Sequence, residues 1–261
     1  MDVRLYMFQS GSLQCKARSV YLNCGGDEDI VIPVPWYLVS HPKGYVVIDG
    51  GLPAICARDP ESHWGAVSKE LTPIFSEGED CVSQLDRLGI AQRDVRYVLL
   101  SHLHIDHVGA IGNFPNATHI VQRREMSYAY LPDWFAAGSY LRRDFDRPEL
   151  SWHVIEDEAP DSFDLYGDGS VLALRTPGHT PGHQSFLITT SKSGPVLLGV
   201  DAVDTMDHWA ERALPGYVCS SIDAARSVRM LRMLAVQRDA IIVPGHDSVA
   251  WQNYQKAPEF Y

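Results

Sequence analysis

Short apolar runs alternate with segments of helical periodicity along much of the chain. Near the start, three runs rich in aromatic and β-branched residues are predicted to form β-strands: RLYMF, PWYLVSH and GYVVID. Further apolar runs of strand length lie in the second half of the chain. This alternation is typical of an α/β fold.

Two helices are predicted from apolar residues that recur on one face. The first lies near residues 79–88 and ends before Gly89, a common stop signal. The second lies late in the chain, where Ser220 and Asp223 have the spacing of an N-terminal capping box. Its apolar face follows the spacing i, i+4, i+7, i+11 and consists of Ala224, Val228, Leu231 and Ala235.

Residues 123–150 interrupt this regularity. The segment is rich in aromatic and arginine side chains, contains two prolines and shows little sustained period. We expect a helix followed by an excursion that faces the substrate. The alternative is an insertion that packs on the surface and never contacts the substrate.

Composition indicates one globular domain. The chain has 261 residues, of which 45% are hydrophobic and 21% charged, as expected for a single large α/β domain over residues 1–261. The formal net charge is −11, which argues against a nucleic-acid partner because such partners require clustered Lys and Arg.

Cysteine usage favours a reducing compartment. The five cysteines are scattered, odd in number and form no C-x-x-C pair, which argues against a disulfide framework. The first residues lack the pattern of a secretory signal, and no apolar run is long enough to span a membrane. We therefore expect an intact, cytoplasmic protein without a membrane partner.

Four apolar runs are each followed by residues that could bind a metal ion. The runs at 97–100, 171–174, 196–200 and 240–243 lead into SHLHIDH, RTPGH, an aspartate and PGH. Such runs suit buried strands, and ligands of open α/β sheets gather beyond the strand ends. One sheet edge is therefore predicted to collect seven candidate ligands: His102, His104, Asp106, His107, His179, Asp201 and His246.

The segment SHLHIDH has the greatest density of these ligands. If the strand persists through it, His102 and His104 point to the same side and meet one ion. Beyond the strand, Asp106 and His107 can face a second ion. Imidazole and carboxylate ligands favour Zn²⁺, although iron, manganese and cobalt accept similar sets. His183 precedes the apolar run QSFLI and is predicted to support the ligands rather than to join them.

These motifs resemble the metallo-β-lactamase superfamily, whose mark is H-x-H-x-D-H followed by a His, a bridging Asp and a final His. The chain is similar almost throughout to the N-acyl-homoserine lactone and γ-butyrolactone lactonases. SHLHIDH identifies only the superfamily, whereas IVQR, TPGHTPGHQSF and the final APEFY narrow the resemblance to lactonases. The segments PDWFAAGSY and DHW are most similar to the branch that opens γ-butyrolactone.

The resemblance implies an αβ/βα four-layer sandwich, with two mixed sheets face to face and helices outside. It also implies a quorum-quenching lactonase in which a hydroxide between two metal ions attacks the lactone ester, with Asp106 and Asp201 in catalytic positions. One ion would be held by His102, His104 and His179 and the other by Asp106, His107 and His246, with Asp201 bridging. The pocket would be walled by Trp134, Phe135, His208 and Trp209.

Asp204 departs from the family pattern. These lactonases usually carry a tyrosine three positions after the bridging aspartate, where its hydroxyl can bond the substrate; here that position is Asp204. An ionised aspartate can only accept hydrogen bonds. Asp204 could act as a general acid if its pKa were raised, could repel the developing oxyanion, or could point outward without a role.

Other functions remain open at this point. They are a thioesterase of the glyoxalase II kind, a β-lactamase-like hydrolase, or a metal-bound protein that binds a lactone without turning it over. A di-iron oxidoreductase fits less well because such enzymes of this fold generally place a glutamate where this chain has His104. A homodimer is compatible with an enzyme of this size, but no segment of the sequence marks an interface.

Overall fold

The structure is a computed structural model and describes residues 2–261. Within these residues the chain forms two β-sheets, one of seven strands and one of five. The strands of the larger sheet are β1 (Arg4–Lys16), β2 (Asp29–His41), β3 (Gly44–Ile48), β4 (Thr72–Ile74), β5 (Val95–Leu99), β6 (Thr118–Gln122) and β7 (Ser151–Ile155). Those of the smaller sheet are β8 (Ser162–Asp164), β9 (Val171–Arg175), β10 (Gln184–Thr190), β11 (Gly194–Val200) and β12 (Ile241–Pro244).

Both sheets are mixed. The larger has the order β4-β1-β2-β3-β5-β6-β7, antiparallel from β4 to β3 and parallel from β3 to β7. The smaller has the order β12-β11-β10-β9-β8, and only the β11–β12 pair is parallel. Parallel pairing places the carboxyl ends of neighbouring strands at the same edge.

The helices are mostly short. They are α1 (Ala17–Val20), α2 (Pro60–Trp64), α3 (Cys81–Arg87), α4 (Arg123–Tyr130), α5 (Arg142–Phe145), α6 (Met206–Trp209) and α7 (Ser221–Arg238). Short 3₁₀ turns lie at Ala54–Ala57, Gly65–Lys69, Gln92–Asp94, Ile111–Asn113, Ala137–Ser139 and Ala250–Asn253.

The apolar clusters define four layers. One cluster lies between the sheets, where Met7 and Val46 of the larger sheet pack with Phe186 and Leu198 of the smaller one. A second joins the outer face of the larger sheet to α3 and α4. A third joins the smaller sheet to α7. The predicted αβ/βα sandwich is confirmed.

Most predicted elements are present. Residues 224, 228, 231 and 235 are the predicted buried face of α7, and all four are buried. Ser220 caps this helix by accepting from the backbone N–H of Asp223. The helix predicted near residues 79–88 is α3, and Gly89 follows it with a φ of +71°. In the region 123–150, α4 is followed by irregular chain and the single turn of α5.

None of the helices in the part of the chain that the structure describes has the length and apolar character needed to cross a membrane.

Candidate metal centre

The segment SHLHIDH folds as a loop rather than as a strand. The strand β5 ends at Leu99, so the predicted strand geometry for residues 102–104 is wrong. His102 and His104 nevertheless converge, with ring centroids 4.4 Å apart. The turn that follows brings His107 to within 4.2 Å of His102, measured between the ring centroids. The spacing predicted the cluster, but the loop produces it.

The remaining candidate ligands follow strands of the other sheet. His179 lies in the loop after β9, Asp201 directly follows β11, and His246 follows β12. The register pairs Val200 with Pro244, which places Asp201 and His246 side by side. The prediction of a single sheet edge is therefore corrected, because the seven residues lie where the edges of both sheets meet.

Two groups of these side chains share no residue and could each hold a cation. His102, His104 and His179 offer three ring nitrogens within 4.8 Å of one another. The same limit joins one atom each of Asp106, His107 and His246. All six residues are buried, so the two groups lie at the floor of a depression rather than on the surface.

Asp201 lies between the two groups and gives one oxygen to each. Its Oδ2 is 3.3 Å from His179 Nε2 and 3.8 Å from His102 Nε2. Its Oδ1 is 3.4 Å from the Nε2 atoms of His107 and His246. This is the arrangement expected of a carboxylate that bridges two ions.

Hydrogen bonds fix which nitrogen of each ring faces the cluster. The Nδ1 of His179 donates to the carbonyl of Tyr217 at 2.7 Å, and that of His246 donates to the carbonyl of Pro33 at 2.8 Å. Because a carbonyl can only accept, Nδ1 carries the proton and Nε2 presents its lone pair to the cluster. Such partners are typical of metal-binding histidines.

Asp49 does the same for two further rings. Its carboxylate accepts from His107 Nδ1 at 2.9 Å and from the Ser101 hydroxyl at 2.9 Å. Since that hydroxyl has a single proton to donate, it must accept from His102 Nδ1, which is also 2.9 Å away. Both rings therefore present Nε2 to the cluster.

The donor set fits two divalent cations. Within residues 2–261, the buried polar atoms without a hydrogen-bond partner include His102 Nε2, His107 Nε2 and Asp201 Oδ1. Buried polar atoms without a partner are rare in proteins and need an explanation. A bound ion is one such explanation. A tetrahedral ion with ligands at 2.0–2.1 Å separates its ligands by about 3.4 Å. The distances of 3.3–3.8 Å around Asp201 are close to this value.

Charge distribution in the cluster also favours cations. Burial lowers the pKa values of His102 and His104 well below the usual value for histidine, so both rings are neutral and able to bind a metal. Burial alone would raise the pKa of Asp201, but His107 and His246 hold it well below its usual value. Asp201 is therefore an ionised carboxylate. Asp201 raises the pKa values of the His107 and His246 rings against the effect of burial, so they carry protons when no ion is bound, and a bound cation would replace those protons at Nε2.

His183 is a buried imidazole beside the cluster. Its ring centroid is 5.3 Å from that of His102, and its Nδ1 is 2.9 Å from the Thr176 hydroxyl. That hydroxyl lies 2.9 Å from Ser185 Oγ, which donates to the carbonyl of Gly199. All three contacts can be hydrogen bonds only if His183 Nδ1 is the donor. His183 thus has a hydrogen-bond network behind its Nδ1, but its Nε2 has no partner among the described residues and forms a further possible cation group with His102 and Asp201. Its support role stays a prediction.

Asp204 points inward. Its side chain is buried, its Oδ1 has no hydrogen-bond partner among the described residues, and it lines the pocket that opens on the cluster. The outward orientation considered from the sequence is therefore wrong. Burial, followed by repulsion from Asp201, raises the pKa of Asp204 well above that of an ordinary aspartate.

The pocket above the cluster is narrow, with a cavity volume of about 40 Å³. Its floor contains Asp106, Asp201 and Asp204 with three of the histidines. Its polar wall residues outside the floor include Ser19, Ser139 and Tyr217. Its walls are otherwise mainly apolar and are formed by Leu13, Cys15, Val20, Ile32, Leu71 and Ile105.

The four residues predicted to wall the pocket lie elsewhere in the structure. Trp134 is 89% exposed and Phe135 55% exposed, because both lie in the excursion after α4. His208 caps α6 through its Nδ1 and stacks on Tyr21, and Trp209 packs against the α7 cluster. None of the four lines this pocket, so their contact with substrate stays a prediction, although the segment 123–150 contributes Ser139 to the lining.

Several residues of the site were not identified from the sequence. Asp49 follows the apolar run of β3, so the rule that located Asp201 could have located it. Pro33 and Tyr217 act only through backbone carbonyls, which leave no signal in residue type. Glu125 lies on α4, where an acidic residue in the first turn is unremarkable.

Comparisons with known proteins agree with this geometry. Residues 29–246 match the family model described as the metallo-beta-lactamase superfamily. The N-acyl homoserine lactonase AttM of Azorhizobium caulinodans is 54% identical over 260 residues, covering 100% of this chain and 99% of its own length. AttM of Agrobacterium fabrum is 52% identical with the same coverage.

Solved structures give the same result. An N-acyl homoserine lactone hydrolase with the product N-hexanoyl-L-homoserine at its catalytic metal centre superposes with a TM-score of 0.89, at 29% identity over 100% of both chains. A Bacillus thuringiensis AiiA variant with bound N-decanoyl-L-homoserine gives 0.88, also at 29% identity and full coverage of both chains. This chain therefore belongs to the metallo-β-lactamase superfamily and, within it, to the N-acyl homoserine lactonases.

Proposed function

We propose that this lactonase hydrolyses the ester bond of N-acyl-homoserine lactones and γ-butyrolactone at a centre of two divalent metal ions. The observation that carries the proposal is Asp201, whose two oxygens each face one group of buried ligands at the floor of the pocket. Relatives named as N-acyl homoserine lactonases match the chain along its whole length, which supports the substrate class.

We assign His102, His104 and His179 to one ion, and the group that contains Asp106 to the other. Asp201 serves both. Ions held by these residues would lower the pKa of a bound water toward ~7 and would polarise an ester carbonyl. Three neutral imidazoles in the first group favour Zn²⁺, although Fe, Mn and Co accept the same donors.

The protein orients the substrate through the shape and polarity of the pocket. Its apolar walls can bury the ring methylenes and an acyl chain, which gains free energy roughly in proportion to the area removed from water. Ser19, Ser139 and Tyr217 supply the hydroxyl groups that can bond the lactone or its amide. A pocket with few polar groups in apolar walls is typical of small-molecule sites.

Asp204 supplies a proton in this proposal. Addition of hydroxide to the acyl carbon of the lactone would give a tetrahedral adduct. When this adduct collapses, the bond between the acyl carbon and the ring oxygen breaks, and that oxygen leaves with the electron pair. A protonated carboxyl at Asp204 can transfer its proton to this oxygen and complete the hydroxyl of the product. Burial and repulsion from Asp201 raise the pKa of Asp204, which favours its protonated form.

We also propose the wider setting of the enzyme. The cluster between the sheets includes residues from Val3 to Tyr261, which supports one domain over residues 1–261. All five cysteines are free, which supports a reducing, cytoplasmic compartment. A homodimer is compatible with an enzyme of this size, and sedimentation of the purified protein would measure its oligomeric state.

The test is turnover of a lactone panel by protein of known metal content. We expect hydrolysis of γ-butyrolactone and of short- and long-chain N-acyl-homoserine lactones, loss of activity after chelation, and recovery with Zn²⁺. His246→Ala should retain the fold but lose one ion and most activity. Turnover that survives complete removal of metal would contradict the proposal, as would activity on thioesters or β-lactams alone.

A further inference from the structure

Glu125 is a buried carboxylate that the proposed mechanism does not use. It lies in the first turn of α4 and has no exposed surface. Among the described residues it forms no ion pair. An isolated charge in such a position is costly, so its compensation must come from hydrogen bonds.

Four donors surround this carboxylate. Its Oε1 accepts from the backbone N–H of Leu103 and from the hydroxyl of Tyr140, both at 3.0 Å. Its Oε2 accepts from the hydroxyl of Thr180 at 2.5 Å. The backbone N–H of Gly182 also bonds the carboxylate. An ionised carboxylate has about four acceptor sites, so this set of donors matches its capacity.

Each donor belongs to a segment that carries or contacts a ligand of the same ion. Leu103 lies between His102 and His104, and Thr180 directly follows His179. The ring of Tyr140 packs edge-on against His104, with centroids 4.7 Å apart.

The approach of α4 to this loop is close. A Cβ added to Gly182 would lie 2.0 Å from the backbone nitrogen of Glu125. The start of α4 and the loop after His179 can therefore approach this closely only because residue 182 is glycine. The carboxylate is therefore held in place by the backbone as well as by its own hydrogen bonds.

We propose that Glu125 is a positioning residue for the ion held by His102, His104 and His179, because its carboxylate ties together the two loops that carry them. The inference rests on the metal centre proposed above. Ligands of the other ion are oriented without Glu125, since His107 is held by Asp49 and His246 by Pro33. Loss of Glu125 should therefore weaken one ion selectively.

The experiment measures Zn²⁺ affinity at each position separately, by competition with a chromophoric chelator. In a His246→Ala background the three-histidine position is measured, and in a His179→Ala background the other. Glu125→Ala should weaken Zn²⁺ about 10–100-fold in the first background, the usual cost of removing a group that orients metal ligands. It should change affinity by no more than about twofold in the second.

Two further variants guard against a purely structural effect. Glu125→Gln keeps one acceptor oxygen and should restore part of the affinity, and Tyr140→Phe, which removes one of four donors, should have the smallest effect. Asp164→Ala is the matched control, because Asp164 also binds backbone N–H groups, those of Tyr166, Gly167 and Gly169, but in a turn of its own.

The Co²⁺ absorption spectrum adds a readout that stability alone would not move. Glu125→Gln should alter the ligand-field bands of the three-histidine position only. Equal weakening in both backgrounds would overturn the inference. So would unchanged affinity with only a lower unfolding temperature. Failure of the proposed function would look different, because the wild-type protein would then leave the lactone panel unhydrolysed, whatever its affinity for Zn²⁺ at either position.

Discussion

The metal-ligand cluster and the excursion after α4, which is the segment 131–150 between α4 and β7, lie close together in the fold but are built in different ways. In the cluster, side chains are buried and most imidazoles have a hydrogen-bond partner behind them. In the excursion, Leu131 and Trp134 are 85% and 89% exposed. The excursion is anchored by the buried side chains of Tyr140 and Phe145 and by polar contacts, such as Tyr130 with Asp146 and His63 with Asp144.

The difference shows what a fold can hold in place. The ligands follow strand ends, either directly or through short loops, and hydrogen bonds from buried partners orient their rings, so the ligand atoms converge. An excursion without strands depends on a few side-chain contacts, and its exposed aromatics have no fixed neighbour beyond each other. Substitutions in the cluster should therefore have large effects, and those in the excursion small ones.

The largest effect is expected at Asp201. Asp201→Ala removes the one carboxylate that faces both ligand groups, so both ions should be lost. Each affinity should fall by more than about 100-fold, because even groups behind the ligands contribute 10–100-fold. Elemental analysis and turnover measure the result. His104→Ala is the comparison and should affect one ion only. An Asp201→Ala protein that keeps one ion at full affinity would contradict the bridging role.

An intermediate effect is expected at Asp204, which lies at the boundary between cluster and pocket. Asp204→Asn should lower kcat by about 10²–10⁴, the usual contribution of a general acid. Burial and Asp201 raise the pKa of Asp204, and the protonated form is the active one. The wild-type rate should therefore be full below that pKa and fall as pH rises through it.

The pH profile separates the possible roles of Asp204. The variant Asp204→Asn should lose the falling limb, at unchanged metal content. Asp204→Tyr should also lower the rate, because a phenol gives up its proton less readily than a carboxyl. A faster Asp204→Tyr enzyme would show instead that Asp204 repels the developing oxyanion. A profile identical in Asp204→Asn and wild type would remove the general acid from the mechanism.

The smallest effect is expected at the tip of the excursion. Trp134→Ala should change the free energy of unfolding by no more than about 0.5 kcal/mol, as is usual for exposed positions. Hydrolysis of unsubstituted γ-butyrolactone should change by less than about threefold, since Trp134 does not line the pocket. Thermal unfolding and kinetics across acyl-chain lengths measure both quantities. A loss confined to long-chain substrates would show that the tip folds over the acyl chain.

The same contrast explains what the sequence could predict. Apolar runs followed by His or Asp located all seven candidate ligands, because buried strands and ligand chemistry both leave a mark on residue type. The two-sheet origin of the cluster could not be read in this way. It depends on how the larger sheet, which contains β5, packs on the smaller sheet, which contains β9, β11 and β12.

Residues that act through the backbone or through packing also could not be predicted from the sequence. Nothing about Pro33 or Tyr217 distinguishes them in the sequence, since any residue has a carbonyl. The aromatic residues of the excursion resembled pocket walls because Trp and Phe often line small-molecule sites. Their exposure follows from the course of the chain between α4 and β7, which has no periodic pattern.

The bond from His246 to the carbonyl of Pro33 joins residues 213 positions apart, one from each sheet. A partly folded chain with a single sheet therefore cannot assemble the cluster, and an ion that binds only the finished structure draws the folding equilibrium toward it. At a free concentration one hundred times its dissociation constant, such an ion adds about 2.7 kcal/mol to the native state. The cell's supply of metal would thus govern how long the folded enzyme persists as well as how fast it works.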